Sequence, residues 1–286
     1  MRQTRDIMGM PVIVEIVGGD EAALEAVFAY FRGIDEQFSP YKKESEVSRL
    51  SDGRLAKSAA SREMREVLLL AEQTKRETNG YFDIYTPSGS FDPSGLVKGW
   101  AIQKAAQLLH DRGHHNFWVE AGGDIQTSGR NAEGGEWSAG IRNPFNSSEI
   151  VKVVYPRGAG IATSGTYVRG SHIYDPHLGA PVRSELVSLT VIGKNVYEAD
   201  RFATAAFAMG RDGMYFIEQH PELEGYAIDV QCRATLTSGF AGYTIAAKPS
   251  GAKVLAEELP ERSEFSDAGT FVPDGSRISL PTYATS

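Results

Sequence analysis

The strand-like segments of this chain come in runs joined by short turns, and this ordering limits its fold more than any other feature. Strict strand–helix alternation would point to a doubly wound parallel sheet. Runs of strands between a few helices predict instead an α+β fold, a largely antiparallel sheet with packed helices. Four stretches have helical spacing. Between Glu21 and Phe38, the residues Leu24, Val27, Phe28, Phe31, Ile34 and Phe38 form one apolar stripe. Met64, Val67, Leu68 and Ala71 repeat the pattern, with Ser61 as N-cap and Gly80 as stop. A third helix follows Ser94-Gly95, carries Ile102, Ala105, Ala106 and Leu109, and ends at Gly113. A fourth spans about Glu198 to Met209 and is closed by Gly210. Strand signals lie at 11–17, 117–120, 151–155, 186–192, 226–230 and 243–246.

With 286 residues the chain can build a core without disulfide or metal staples. A break in composition after Ala247 predicts a main unit, residues 1–247, and a peripheral tail, 248–286, rich in Ser, Gly, Pro and acidic residues. A net charge of −8 leaves no basic field for nucleic acid. The single cysteine, Cys232, excludes an internal disulfide and cannot alone make a zinc site. No run approaches the ~18 apolar residues of a membrane span. Met1 to Asp6 is polar and lacks the apolar core of a signal peptide, which predicts either a cytoplasmic protein, the reading favoured here, or one whose leader has been removed.

Four segments place glycine and small polar residues where a packed core would not. Phe38 to Leu50 reads as a turn and a short helical stretch with one aromatic, Tyr41, and several hydroxyls, Ser48 among them; taken alone, these residues favour a plain connector. Phe91 to Trp100 reads as a glycine turn opening a helix. Free N–H groups, the positive end of the dipole and Lys98 would suit a phosphate there, although many helices start after glycine for packing reasons. In Val119 to Ile125 a strand runs into Gly-Gly-Asp, either an approach for a ligand or a type I′ hairpin turn. Finally, Ile161 to Tyr167 precedes Ser171 to Pro176, and Ala199 to Ala206 follows on a helix. Asp200 and Thr204, four residues apart, put two oxygens on one helix face among alanines. Their burial demands a partner, either a divalent cation or a backbone N–H. No His-Glu-x-x-His or Gly-x-Ser-x-Gly pattern is present, which disfavours a zinc or serine hydrolase.

Taken in order, these segments resemble the FAD:protein FMN transferases, the ApbE-type flavin transferase family. The resemblance rests on Met8-Gly9-Met10, Phe38 to Leu50, Asp92 to Ala101, Ala121-Gly122-Gly123-Asp124, Trp137 to Pro144, Ala162 to Thr166, His172 to Val182 and Ala199 to Ala206. It covers about residues 7 to 245. Three features depart from the family pattern: a short link between Asp83 and Asp92, Asp-Pro-Ser-Gly-Leu-Val-Lys-Gly in the lysine motif, and no lipoprotein leader.

The resemblance implies a reaction in which the FMN half of FAD moves to a Thr or Ser hydroxyl of an acceptor protein and AMP is released. It implies Mg²⁺ held by Asp200, Thr204 and the Ala121 carbonyl, with Asp124 in support. Lys98 and the Gly95/Gly99 turn would face the phosphates. Tyr41 would stack on the flavin, and Met8, Gly9, Met10, Ser48, Gly122, Gly123 and the Thr163-Ser164-Gly165 turn would complete the cofactor cleft. His172 is implied as the base, with Asp175 orienting it or capping a turn. Two rival readings share these residues: an Mg²⁺-dependent FAD pyrophosphatase and a flavin-binding module without turnover.

Overall fold

The computed structural model describes residues 1–86, 89–166, 174–182 and 184–244. In chain order these form β1 (Arg2–Ile7), β2 (Met10–Ile16), α1 (Glu21–Phe38), α2 (Glu46–Ser51), α3 (Arg62–Glu77), α4 (Ser94–Asp111), β3 (Phe117–Ala121), β4 (Asp124–Ser128), β5 (Ala139–Asn143) and β6 (Asn146–Val154). There follow β7 (Gly160–Gly165), β8 (Tyr174–Asp175), β9 (Ala180–Pro181), β10 (Leu186–Gly193), α5 (Val196–Ala208), α6 (Asp212–Glu218), β11 (Leu223–Asp229) and β12 (Ala234–Leu236). The expected tail, 248–286, and the candidate base His172 lie outside the described residues.

Eight strands make one sheet, in the order β1-β2-β3-β4-β7-β10-β11-β12, and every neighbouring pair is antiparallel. The α+β architecture anticipated from the runs of strands is the one that forms. Strand alternation gives the sheet two working faces. Ala162, Leu189, Val191 and Ala227 pack on Phe202, Phe207 and Met214 of α5 and α6. Their neighbours Ile161, Ile192, Tyr226 and Ile228 lie under Ile141 and Val154 of the β5–β6 hairpin. In the first half of the chain, β2 and β3 join α1, α3 and α4 around Phe28, Phe31, Met64, Leu96 and Phe117. Each such fully buried side chain contributes about 1.5–3 kcal/mol of transfer free energy.

Local signals explain the helix boundaries. The Asp20 side chain accepts from Ala23 N–H at 2.8 Å to cap α1, and Ser61 accepts from Met64 N–H at 3.0 Å to cap α3. The stops at Gly80, Gly113 and Gly210 all have positive φ. Helix α5 starts two residues before the expected Glu198, because the Asn195 side chain caps Glu198 N–H at 3.0 Å.

Several expectations are corrected. Thr163-Ser164-Gly165 is the end of strand β7 rather than a turn, paired with Ser188, Leu189 and Thr190 of β10. Gly95 and Gly99 lie inside α4, not in a turn before it. Tyr243 closes a 3₁₀ turn, Phe240–Tyr243, in place of the expected strand start; its carbonyl accepts from Tyr155 N–H at 2.7 Å. Strand β1 escaped notice because it is an edge strand whose Arg2, Thr4 and Asp6 face solvent. No helix among the described residues is long and apolar enough to cross a membrane.

Candidate active site

The turn between β3 and β4 sets the first piece. Ala121 pairs with Asp124 across a two-residue loop, with Gly122 at φ 59° and Gly123 at φ 95°, a type I′ geometry. A Cβ at position 122 would come within 2.8 Å of the Met10 sulfur, so glycine is required there twice over. The hairpin thus buries Asp124 at the first position of β4.

Helices α4 and α5 supply the other pieces. Lys98, in the second turn of α4, forms ion pairs with Asp124 and, at 3.3 Å, with Asp200 of α5. The remaining oxygen of each carboxylate is held by the backbone: Asp200 Oδ2 accepts from Gly99 N–H at 2.8 Å, and Asp124 Oδ1 accepts from Thr163 N–H at 3.1 Å. Burial pushes the Asp200 carboxyl up, to about 7; the Lys98 ammonium opposes the shift and the Asp124 charge adds to it. Of the two partners anticipated for the Asp200 carboxylate, the backbone N–H is present, and the Lys98 ammonium joins it.

These groups border a cleft of about 1360 Å³. Of the residues anticipated from sequence, Gly9, Met10, Gly95, Lys98, Gly122, Gly123, Thr163, Ser164, Gly165, Asp200 and Thr204 line it. Ala121 and Asp124 lie just behind that wall, both buried. Gly99 is spent on the α4–α5 contact, and Met8 sits in the β1–β2 turn at φ 59°, packed on the core. Tyr41, expected against the flavin, is 95% exposed and lines no part of the cleft. Ser48 donates to the Pro40 carbonyl at 3.4 Å and is likewise outside the lining. Among the described residues no three acidic, His or Cys side chains converge as a metal-binding group.

Among the aromatic residues of the lining, Trp118 was not anticipated, and Trp137 opens a segment that the resemblance named without giving the ring a role. Trp118 and Trp137 stand with ring centroids 5.9 Å apart, and Trp118 Nε1 donates to Glu120 at 3.0 Å. Burial raises the Glu120 carboxyl against that hydrogen bond. The signal was present: Trp118 and Glu120 are i and i+2 on a strand and so share a face. Trp137 Nε1 donates to the Ser128 carbonyl at 2.8 Å, which fastens the β5–β6 hairpin over the sheet. On another wall, the Tyr174 hydroxyl donates to the Asp83 and Tyr85 carbonyls at 3.0 and 2.7 Å, and burial pushes it up to about 12.

Comparison with known proteins gives a consistent result. The family model described as the ApbE family matches residues 8–88 and 86–227. Among curated proteins, the FAD:protein FMN transferase of Vibrio cholerae is 36% identical over 130 residues, 42% of this chain and 39% of that protein. The Haemophilus influenzae FAD:protein FMN transferase is 30% identical over 152 residues, 50% of this chain and 44% of that protein. The aligned region thus spans less than half the length of these relatives. Among solved structures, the flavin transferase ApbE from Vibrio cholerae superposes with a TM-score of 0.76 at 23% identity, covering 85% of this chain and 98% of that one. The ApbE protein from Thermotoga maritima gives 0.76 at 20% identity, covering 86% and 99%. At these identities the structural likeness concerns the fold.

Proposed function

This chain belongs to the ApbE family, and from that premise we propose that it transfers the FMN half of FAD to a Thr or Ser hydroxyl of an acceptor protein and releases AMP, with Mg²⁺ as the metal. The observation that carries the reading is the cleft: about 1360 Å³, with Lys98, Asp200, Thr204 and the Trp118–Trp137 pair all in its lining. Small-molecule sites usually measure about 300–1,000 Å³, so this one suits a ligand of dinucleotide size. The catalytic unit in this reading is residues 1–247.

The donors beside Lys98 suit Mg²⁺. Asp200 and Thr204 both reach the cleft, with Asp124 and Ala121 immediately behind. Asp200 offers a carboxylate, Thr204 a hydroxyl and Ala121 a carbonyl, all hard oxygen donors, and one carboxylate without a full protein cage is what Mg²⁺ takes when phosphate and water complete its shell. The residues fit. Asp200, Thr204 and the Ala121 carbonyl would hold the ion, which supplies Lewis-acid neutralisation of charge on the phosphoryl group.

The rest of the chemistry belongs to the chain. Lys98 offers a second positive charge to the pyrophosphate, beside Gly95 in the first turn of α4. Gly9, Met10, Gly122, Gly123 and Thr163 to Gly165 shape the wall that positions the cofactor. The acceptor oxygen forms a bond to the FMN-side phosphorus as the pyrophosphate P–O bond breaks, AMP takes the bridging oxygen, and His172 takes the hydroxyl proton. A cytoplasmic location belongs to the same reading, supported by a chain whose one cysteine forms no internal disulfide.

Intact-mass analysis of candidate acceptors, incubated with FAD, Mg²⁺ and this protein, tests the proposal. A gain of one FMN with matching AMP supports it. AMP release at the same rate without any acceptor favours the pyrophosphatase reading, and flavin binding with no AMP favours the storage reading.

A further inference from the structure

The two carboxylates at the end of the cleft are held in the same way. Each gives one oxygen to a backbone N–H (Gly99 for Asp200, Thr163 for Asp124) and turns the other to the Lys98 ammonium. Their side chains are 5% and 1% exposed, and that of Lys98 17%. With Oδ2 of Asp200 accepting from Gly99 N–H, a metal on the other oxygen, Oδ1, would meet the Lys98 ammonium there. Two cations cannot share that oxygen without strong repulsion in so buried a place. Equally, two buried carboxylates with no cation between them would be costly.

We propose that Lys98 is a stand-in cation for the metal-free protein: its ammonium neutralises Asp124 and Asp200, and a divalent cation arriving beside Thr204 exchanges with it at Asp200 Oδ1. This rests on the reading that a divalent cation binds at Asp200. The lysine then stays on Asp124, its closer partner, and Asp124 acts as a positioning residue that keeps the ammonium off the incoming ion. Lysine suits this exchange because its charge is compact and its four-carbon stem moves the ammonium without moving the helix. Lys98 already lines the cleft, so the same shift turns it toward an anionic ligand.

The test is Mn²⁺ binding to the full chain, without FAD or acceptor, followed by calorimetry and by electron paramagnetic resonance of free Mn²⁺. Lys98→Met should bind Mn²⁺ at least about tenfold more tightly than wild type, because a competing unit charge is gone. Lys98→Arg keeps the charge and should bind no more tightly than wild type. A folded Lys98→Met with unchanged or weaker affinity, or no Mn²⁺ binding by any variant, overturns the proposal. Should Lys98→Met not fold, the double variant Lys98→Met/Asp124→Asn removes one charge of each sign. It should bind at least as tightly as wild type, while Asp124→Asn alone binds more weakly. A double variant weaker than wild type would make Asp124 a metal ligand and overturn the exchange. Failure of the proposed function reads differently: Lys98→Met tightens Mn²⁺ binding, yet no acceptor gains FMN. Conversely, FMN transfer without that tightening rejects the exchange alone.

Discussion

Gly99 and Asp200 hold helices α4 and α5 together at a separation only glycine permits. The Gly99 N–H donates to Asp200 Oδ2 at 2.8 Å, and a Cβ at position 99 would lie 2.6 Å from the Asp200 Cβ and 2.9 Å from the Val196 carbonyl oxygen. Both obstacles belong to the helix opposite and neither is the end of a flexible side chain. Gly99→Ala should therefore force the helices apart and destabilise the protein by about 1–3 kcal/mol, the usual cost of overpacking. Urea denaturation checks this, and a midpoint within error of wild type would show that the helices slide freely.

Asp200 should also set a pH dependence. Its carboxyl is held up at about 7 by burial, against about 3.9 for an aspartate in an unfolded chain. Between those values the folded protein binds more protons than the unfolded chain. Stability contributed by this group is therefore lost as pH rises from about 4 to 7 and is level above that, with a slope of at most ~1.4 kcal/mol per pH unit. Asp200→Asn should flatten that window. Urea titrations at pH 5 and pH 8, with chelator present, measure it; equal slopes in wild type and variant would contradict the assignment.

Arg201 ties α5 to α3. Its guanidinium, 5% exposed, pairs with Glu77 and Glu198 and lies 4.0 Å from the Phe202 ring centroid. Arg201→Met removes the buried partner of Glu198 and leaves it only the exposed Lys194, 3.9 Å away, so a loss of about 3 kcal/mol is expected. Arg201→Lys should recover only part of it, since a point charge cannot hold two carboxylates in the same fork. A thermal melt of the two variants decides between this and a mere surface pair.

For the reaction itself, His172→Ala should slow FMN transfer to an acceptor peptide by about 10²–10⁴-fold, the usual contribution of a general base. Flavin binding, followed by quenching of FAD fluorescence, should stay near wild type. Transfer at close to the wild-type rate would remove His172 from the role.

What could be read from the sequence and what could not divides by distance along the chain. The stripe from Leu24 to Phe38 and the Ser61 cap are local, since periodicity and a capping oxygen act within one or two turns, and both form as expected. The Gly122-Gly123 turn is equally local, and of its two readings the hairpin is realised. Strand β1 is local too, but its outward Arg2, Thr4 and Asp6 hide an edge strand behind polar residues. Lys98, Asp124 and Asp200 were each conspicuous alone, yet nothing in the order of residues revealed that the lysine would lie between the two acids. That pairing depends on how α4, α5 and the β3–β4 hairpin close on one another. Trp118 and Glu120 read only as part of a strand for a similar reason: alternation assigns them a face, and only the overhanging β5–β6 hairpin turns that face into a cleft wall.

The spacing of the buried trio along the chain also orders its assembly. Lys98 and Asp124 are 26 residues apart, joined by one helix and one hairpin, whereas Gly99 and Asp200 are 101 apart with half of the sheet's strands between them. As a ribosome delivers the chain, the lysine and its first acid can meet long before the second acid has been synthesised. In that order of assembly the last carboxylate to be buried would arrive at a cation already in place, and the site would not hold two bare negative charges while the sheet closes.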